Sequence, residues 1–460
     1  MTVAGPRSLD RRLGPFDAAV IVISNVIGVG IFTTPGVVAT MLPGPGAMLG
    51  VWAAGGALAF AGALAYAELA ARRPQAGGEY VYLRESFGGL AAFLTGWTSF
   101  VAGFSGAIAA GAVGVAAYLD RLVPGAADTA VLAAFHLGPL AVAVSVRSVV
   151  AIAVIVSLAL VHARGLGPGR VIQNVLTVLK VGALAIFVIA GLSIAPHGPP
   201  AVALAAPPGG GWRMWLLALV PVMFSYAGWN AAVYVAEEIR EPERNLPRAL
   251  AAGTVAVVAI YLALNALYLR VVPRAAMAGA IGVGELAAGR LFGSAAATLF
   301  AALAIVIILG SLSAMTLAGP RIYFAMARDG AFLPAAGIVH PRFRTPAVAI
   351  LAQAAWSALL VVSGTFEQLL TYTGFAVILF SGLAVLSLFV VRRRDETPSP
   401  FRAWGYPWAP AIFCAVSFAI VANTIAQAPG VAFAGLAVMA AGIPIYAWTR
   451  WRAPSRAPRA

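Results

Sequence analysis

The chain has 460 residues, of which 61% are hydrophobic and 10% are charged, and its formal net charge is +14. Such an apolar composition excludes a soluble globular protein and predicts a polytopic membrane protein with no room for a soluble domain. The arginines lie in short loops between apolar stretches, so membrane topology and anionic lipid headgroups explain the positive charge, and nucleic acid binding is excluded.

Twelve apolar stretches, each near the roughly 20 residues that cross a bilayer, follow one another along the chain. They comprise residues 15–41, 46–71, 90–121, 147–163, 169–193, 212–236, 247–271, 294–327, 346–363, 368–391, 405–426 and 429–449. Strand-like alternation is absent, which predicts an all-α integral membrane protein with twelve transmembrane helices. Residues 1–460 are predicted to form one transmembrane domain, with short tails at 1–14 and 450–460.

The arginine distribution predicts the orientation of the chain. Placing the N-terminus in the cytoplasm puts most basic residues on the cytoplasmic side, including those in both tails. We therefore expect a multi-pass protein of the inner (plasma) membrane with both termini in the cytoplasm. The single cysteine, Cys414, lies within the eleventh stretch, so an intramolecular disulfide is impossible.

Two stretches are interrupted near mid-membrane depth. Residues 24–36 read S-N-V-I-G-V-G-I-F-T-T-P-G, and residues 221–230 read P-V-M-F-S-Y-A-G-W-N. Unwound backbone at that depth is tolerated where it lines a cavity, although close packing of small residues is an alternative for the first stretch alone. Two interruptions about 200 residues apart predict an inverted-repeat transporter, with repeats at 15–193 and 212–391 and two additional helices at 405–449.

A substrate site at such interruptions consists mainly of backbone. Free N–H groups stabilise a carboxylate and free carbonyls accept from an ammonium, so an amino acid zwitterion satisfies both ends without a cofactor or a metal. A membrane-embedded enzyme is excluded, because the stretches offer no paired carboxylates, metal-ligand cluster or activated nucleophile. The alternative to a transporter is a membrane receptor that binds nutrients without transporting them.

Five motifs in order carry a resemblance to a known family. They are G-V-G-I-F (28–32), F-S-Y-A-G-W-N (224–230), E-E-I-R-E-P-E-R-N-L-P-R-A (237–249), I-Y-L-A-L-N-A-L-Y (260–268) and R-I-Y-F-A-M-A-R-D-G-A-F-L-P (321–334). The chain resembles the amino acid, polyamine and organocation transporter superfamily, and within it the L-type amino acid transporter group. The resemblance implies a leucine-transporter-like fold of five plus five inverted helices and sodium-independent amino acid transport by alternating access.

The resemblance also implies the residues of the substrate site. These are Val26, Gly28, Val29, Gly30, Ile31, Phe224, Ala227 and Gly228. The amides around Val29 would bind the substrate carboxylate, the carbonyls of Val26, Phe224 and Ala227 would take the ammonium, and the Phe224 ring would close the external gate. Val29 replaces the usual serine, and Ala227 replaces a glycine, which favours modestly sized substrates. Members with a glycoprotein subunit bind it through a cysteine between spans three and four; residues 122–146 contain none, so we expect no disulfide-linked heavy subunit.

Lys180 is the only lysine in the chain and lies in the apolar run V-L-T-V-L-K-V-G-A-L. A charge at that depth costs at least ~2.5 kcal/mol and needs compensation. Sodium-independent members of the family resemble this chain in carrying a lysine where relatives bind Na⁺. The resemblance implies that Lys180 reaches carbonyls of the first interruption and a hydroxyl of Ser311 or Ser313. A purely structural ammonium and a chance lysine are the alternatives.

The other ionisable residues decide the substrate class. The carboxylates are expected in loops or near helix ends and the histidines at the periphery, which leaves Lys180 as the only ionisable group at mid-depth apart from tyrosines. A cationic substrate then lacks a counter-charge, so neutral amino acids are predicted. Exchange is favoured over proton symport with Lys180 as carrier, because no acid is expected at mid-depth to relay a proton.

For three further sets of polar residues, the sequence leaves more than one role open. Tyr261 and Asn265 lie one turn apart and are expected to bond between helices, to contact substrate or to link to Lys180. Glu237, Glu238 and the arginines of 240–248 form either a solvated cytoplasmic cluster or an inner gate. Residues 75–80, Q-A-G-G-E-Y, suit a re-entrant loop that moves with the inner gate.

Overall fold

The computed structural model describes residues 9–137, 140–194, 211–280 and 282–452. Its helices are α1 (Pro15–Val26), α2 (Gly30–Met41), α3 (Pro45–Arg72), α4 (Glu79–Phe87), α5 (Gly89–Thr98), α6 (Phe104–Leu122), α7 (Val146–Ala163), α8 (Leu166–Ser193), α9 (Trp212–Tyr226), α10 (Ala231–Tyr234), α11 (Pro242–Val271), α12 (Arg274–Met277), α13 (Val283–Phe292), α14 (Ser294–Arg328), α15 (Ala347–Ser363), α16 (Phe366–Arg394), α17 (Trp408–Gln427), α18 (Pro429–Ala440) and α19 (Gly442–Arg452). A π-helical turn, Ser99–Gly103, joins α5 to α6, and short 3₁₀ turns lie at Ala236–Glu238 and Pro334–Gly337.

The described residues contain nine helices that are long and apolar enough to cross a membrane. The pair α1 and α2 passes the same test as one span bent by 43°, and α9 and α15 are shorter apolar helices. Prolines stand at the first position of four helices, where a missing N–H costs nothing: Pro15, Pro45, Pro242 and Pro429. The predicted helical membrane protein is confirmed, whereas the count of twelve spans and the inverted repeat stay predictions.

Within the described ranges, a β-hairpin departs from the predicted all-helical chain. Strands β1 (Val131–Leu137) and β2 (Leu140–Ser145) pair antiparallel between α6 and α7, with Phe135 opposite Val142. Most of the β1 side chains are exposed, so the hairpin adds little to the core. Exposed strands of this kind need no strict alternation of polar and apolar residues, which is why the sequence pattern did not reveal them.

The longest helices enclose the two interrupted ones. Helix α11 packs against α3 and α1, and α14 packs against α6, α8 and α1. Helix α9 packs against α3 and α2. The interruption after α1 and the interruption after α9 are thereby brought together at the centre of the bundle.

Candidate functional site

The first interruption lies between Val26, where α1 ends, and Gly30, where α2 begins. Ile27 has an extended backbone, which stops the helix at that point. A Cβ on Gly30 would lie 2.8 Å from Ser225 Oγ and 3.2 Å from Ser225 Cα, closer than side chains normally approach. A Cβ on Gly28 would meet Ser311 Oγ at 3.2 Å. The glycines therefore let the backbone of the first interruption lie directly against α9 and α14.

The second interruption separates α9, which ends at Tyr226, from the short helix α10. Gly228 has a φ of +105°, a conformation that glycine adopts without strain. A Cβ at this position would lie 2.5 Å from Asn25 Oδ1, so Gly228 also allows the second interruption to contact the end of α1. The two interruptions thus form one continuous region of irregular backbone.

A cavity of about 520 Å³ lies beside both interruptions. It follows one face of α6 from Phe104 to Arg121 and reaches Glu79. Of the predicted substrate-site residues, the following line it: Val26, Gly28, Val29, Gly30, Phe224, Ala227 and Gly228. Ile31 does not line the cavity, because its side chain is fully buried behind the interruption. Phe224 lines the cavity and is 45% exposed.

Lys180 is fully buried and holds the first interruption to its neighbours. Its Nζ donates hydrogen bonds to the carbonyl oxygens of Ser24 at 3.0 Å, Ile27 at 2.8 Å and Ile307 at 3.5 Å. Ser24 Oγ donates in turn to the carbonyl of Gly310 at 2.8 Å. The ammonium therefore connects α8 with the end of α1 and with α14 entirely through backbone acceptors.

The expected hydroxyl partner of Lys180 requires correction. Ser313 Oγ bonds to His162 Nε2 at 2.9 Å, and Ser311 Oγ lies against Gly28 instead. The reason is helical geometry, since residues 311 and 313 point to different sides of α14 and the α14 group that Lys180 contacts is the carbonyl of Ile307. His162 lies in the last turn of α7, near a helix end as expected, and is only 1% exposed.

Tyr261 joins the two interruptions. Its hydroxyl lies 2.8 Å from the carbonyl oxygen of Val26 and 3.1 Å from that of Ser225. Asn265 does not reach Lys180, because its side chain donates to the carbonyl of Tyr261 at 2.8 Å within α11. The carbonyl of Val26, expected to accept the substrate ammonium, already accepts one hydrogen bond and keeps one lone pair for a second.

Glu79 is a residue of the cavity that the sequence reasoning missed. It is 7% exposed, and its Oε1 accepts hydrogen bonds from Tyr66 Oη at 2.5 Å and Asn230 Nδ2 at 2.7 Å. As expected for the carboxylates, Glu79 stands at a helix end, the first position of α4, but it is buried and lines the cavity. The signal that could have located it is the pair Gly77 and Gly78, both with positive φ, which turns the chain inward just before Glu79.

Ion pairs close the end of the bundle that carries the N-terminal segment. Arg321 donates to both carboxylate oxygens of Glu238, at 2.7 and 3.1 Å, and both side chains are buried. Arg328 pairs with Glu237 at 3.0 Å, and the carboxylate of Glu237 also accepts from the amide of Leu9. Glu238 is therefore not part of a solvated cluster.

Paired interrupted helices around a cavity, inside a bundle of apolar helices, define a helical membrane transporter whose site is built from backbone. Within the described ranges, no group of three or more His, Cys, Asp or Glu side chains could hold a metal ion. The chain belongs to the amino acid permease family, whose sequence profile matches residues 13–447. It is a multi-pass amino acid transporter and not an enzyme.

Several characterised proteins are similar over most of their length. The serine/threonine exchanger SteT of Bacillus subtilis is 28% identical over 447 residues, which cover 95% of this chain and 96% of that protein. The b(0,+)-type amino acid transporter 1 of Mus musculus is 30% identical over 394 residues, 84% of this chain and 78% of that protein. The large neutral amino acids transporter small subunit 2 of Homo sapiens is 27% identical over 459 residues, 96% of this chain and 81% of that protein.

Proposed function

We propose that this protein exchanges neutral L-amino acids across the inner membrane by alternating access and without sodium. The observation that carries the proposal is the Lys180 ammonium, which is bound by carbonyls at the first interruption and so supplies a built-in cation there. The proposed architecture has twelve spans, with inverted repeats at 15–193 and 212–391, two additional helices at 405–449 and both termini in the cytoplasm.

The substrate carboxylate is proposed to bind the amides of Gly28, Val29 and Gly30. The absence of side chains at the two glycines leaves this backbone open to the cavity that it lines. The ammonium would bind the carbonyls of Phe224 and Ala227, together with the remaining lone pair of Val26. Ile31 would support the loop from behind, since it is buried.

The cavity lining supports neutral substrates of moderate size. Apart from Glu79 and Arg121 at its two ends, the lining has no charged side chain among the described residues. Met223, Ile308 and Leu312 give the middle of the cavity an apolar wall. The methyl group of Ala227 takes up space at a position where the L-type amino acid transporter group usually has glycine.

The open and closed ends of the cavity support alternating access. Phe224 is half exposed, and the cavity continues past it to Arg121 at the end of α6. At the end of the bundle that carries the N-terminal segment, Arg321 and Glu238 form a buried ion pair. We propose that this conformation is outward-open, that closure brings the Phe224 ring over the substrate, and that inward opening breaks the Arg321–Glu238 pair.

We propose that this protein functions without a disulfide-linked heavy subunit. The relative from Homo sapiens is named a small subunit, which implies a partner for that protein. In the present chain the single cysteine, Cys414, is buried within α17 and lies 3.5 Å from the carbonyl of Gly382. A buried thiol cannot form a bond to a second chain at the membrane surface.

Counterflow tests the proposal directly. Purified protein is reconstituted into proteoliposomes preloaded with unlabelled L-serine or L-alanine, and uptake of the labelled amino acid is followed in sodium and in choline buffers. Exchange predicts accumulation that requires preloading and is equal in both buffers. Sodium stimulation would contradict the built-in cation, and substrate binding without counterflow would show the alternative, a receptor. Uptake without preloading under a proton gradient would instead show proton symport, the alternative in which Lys180 carries the proton.

A further inference from the structure

A second cavity, of about 190 Å³, lies at the end of the bundle that carries the N-terminal segment. Three separate parts of the chain line it: the segment before α1, the turn between α7 and α8, and the loop before α15. We call it the arginine cavity, because its charged lining residues are Arg12, Arg164, Arg342, Arg344 and Asp10. Four arginines against one aspartate leave three positive charges unbalanced, so the arginine cavity is suited to an anion.

The single acid of the arginine cavity is already paired. Arg344 donates to Oδ1 of Asp10 at 2.7 and 3.1 Å, and Arg12 donates to its other oxygen at 3.0 Å. Arg164 and Arg342 are exposed, and neither forms an ion pair within the described ranges. A guanidinium has a planar fork of N–H donors that matches the oxygens of a phosphate. The two unpaired arginines are therefore available to a phosphate group.

The turn between α7 and α8 brings backbone close to these arginines. Gly165 has a φ of +146°, which glycine adopts without strain, and α8 begins at the next residue, Leu166. Thr345 Oγ1 donates to the carbonyl of Ala163 at 2.8 Å, which fixes this turn to the loop before α15. A Cβ on Gly167 would meet nothing within 4 Å, so there is open space beside the first turn of α8. The partial positive charge at the start of a helix adds to the attraction of the arginines for an anion.

The depth of the arginine cavity indicates which anion reaches it. Helix α7 ends at Ala163 and α8 begins at Leu166, and both helices are long and apolar enough to cross a membrane. The arginine cavity therefore lies where the spans end, at the depth of the lipid headgroups. Apolar side chains are exposed on the same helices within a few turns: Val171 and Val175 on α8, and Val348 at the start of α15. A lipid can place its phosphate among the arginines and its acyl chains along these side chains, whereas a free phosphate uses only the first.

We propose that the arginine cavity binds the phosphate of an anionic phospholipid such as phosphatidylglycerol. Arg164 and Arg342 bind the phosphate oxygens, and the acyl chains lie along α8 and α15. Basic pockets between membrane helices recognise anionic headgroups by this combination of charge and depth. Phosphatidylcholine fits less well, because its quaternary ammonium would stand among arginines. The proposal concerns binding and does not depend on the transport cycle.

A lipid in the arginine cavity stabilises the position of the N-terminal segment. The amides of Arg12 and Leu13 donate to the carbonyl of Glu238 at 2.9 Å, and the side chain of Glu238 pairs with Arg321. The segment thus connects the arginine cavity with the buried ion pair at the same end of the bundle. A ligand that binds only the folded arrangement of these parts raises the stability of the protein by mass action.

The test titrates purified protein in a neutral detergent with phosphatidylglycerol or with phosphatidylcholine. Bound lipid is counted by native mass spectrometry, and thermal unfolding is recorded in parallel. The wild type is expected to bind phosphatidylglycerol in preference and to unfold at a higher temperature in its presence. The double variant Arg164→Gln with Arg342→Gln should weaken this affinity about thirtyfold, since each arginine near an anionic lipid contributes a factor of about five.

A second double variant is the matched control. Arg393→Gln with Arg402→Gln also removes two exposed arginines that form no ion pair in the described part of the chain. Neither residue lines the arginine cavity, so this variant should bind phosphatidylglycerol like the wild type.

A pair of variants at Gly167 tests the charge of the arginine cavity without removing an arginine. Gly167→Glu places a carboxylate in the first turn of α8, where it stabilises the helix but repels a phosphate. Gly167→Gln adds a side chain of the same shape without the charge. In lipid-free detergent the glutamate variant should unfold at a temperature no lower than the glutamine variant, yet its affinity for phosphatidylglycerol should be at least about tenfold weaker.

Four results would overturn the proposal. Equal losses in the two arginine double variants would show a general attraction of the basic surface. Equal binding of phosphatidylglycerol and phosphatidylcholine would show that the arginine cavity does not select an anionic headgroup, and equal affinity of the two Gly167 variants would place the lipid elsewhere. Inorganic phosphate that displaces phosphatidylglycerol and stabilises the protein as strongly would show a site for free phosphate.

Discussion

The Nζ of Lys180 lies 2.8 Å from the carbonyl oxygen of Ile27, the residue at which α1 ceases to be helical. The freed carbonyls at a helix C-terminus carry partial negative charge, which favours a cation at this position. The same ammonium contacts Ile307 of α14, so one charge holds three helices around the substrate loop. A sodium ion would satisfy the same acceptors, which is the physical basis of the proposed sodium independence.

Lys180→Ala should reduce transport at least tenfold, which corresponds to only ~1.4 kcal/mol in activation free energy. The variant leaves three carbonyls without their donor in a dry environment, and the end of α1 loses its position. Counterflow in proteoliposomes is the measurement. Leu179→Ala is the matched control, since that neighbouring side chain is 55% exposed on the outer surface of α8 and should leave transport unchanged. Full activity of Lys180→Ala would refute the ion-mimic role.

Gly30→Ala should abolish or nearly abolish substrate binding. The new methyl group would lie 2.8 Å from Ser225 Oγ and 3.2 Å from the Ser225 backbone, so the two interruptions would have to separate. Gly50→Ala is the control, because nothing lies within 4 Å of a Cβ at that position. Binding is measured by substrate-dependent thermal stabilisation of the purified protein. Equal stabilisation of Gly30→Ala and wild type would remove the first interruption from the substrate site.

Tyr261→Phe should lower transport about fivefold to tenfold, since the hydroxyl shares its one proton between the carbonyls of Val26 and Ser225, and such a hydrogen bond contributes about 1 kcal/mol. Tyr268→Phe offers a close comparison on the same helix: its hydroxyl is buried and has no hydrogen-bond partner within the described part of the chain. That variant should transport like the wild type. A loss of equal size in both variants would indicate a general packing effect instead of a link between the interruptions.

Glu238→Ala should destabilise the protein by about 3 kcal/mol, because it leaves the buried guanidinium of Arg321 without its carboxylate. Thermal unfolding in detergent measures the effect. Glu241→Ala provides the comparison, since that side chain is 71% exposed and its loss should change the unfolding temperature little. Unchanged stability of Glu238→Ala would mean that the pair does not hold this end of the bundle closed.

The sequence by itself determined the membrane class, the approximate bounds of the helices and the positions of both interruptions. These features depend on local properties: apolar residues must face lipid over the length of a span, and glycine or proline weakens the helix in which it stands. The long helices accordingly begin and end within a few residues of the predicted bounds, as α11 and α14 show.

The tertiary structure decided which polar groups meet. Lys180 binds Ile27 across 153 residues of chain, His162 binds Ser313 across 151, and Glu79 binds Asn230 across 151. No local pattern encodes such pairings, because they depend on the relative rotation of helices distant in sequence. Glu79 shows this most clearly: the sequence Q-A-G-G-E-Y predicted a re-entrant loop at the inner gate, and only the packing of α3, α10 and α16 around Glu79 makes it a buried acid in the cavity.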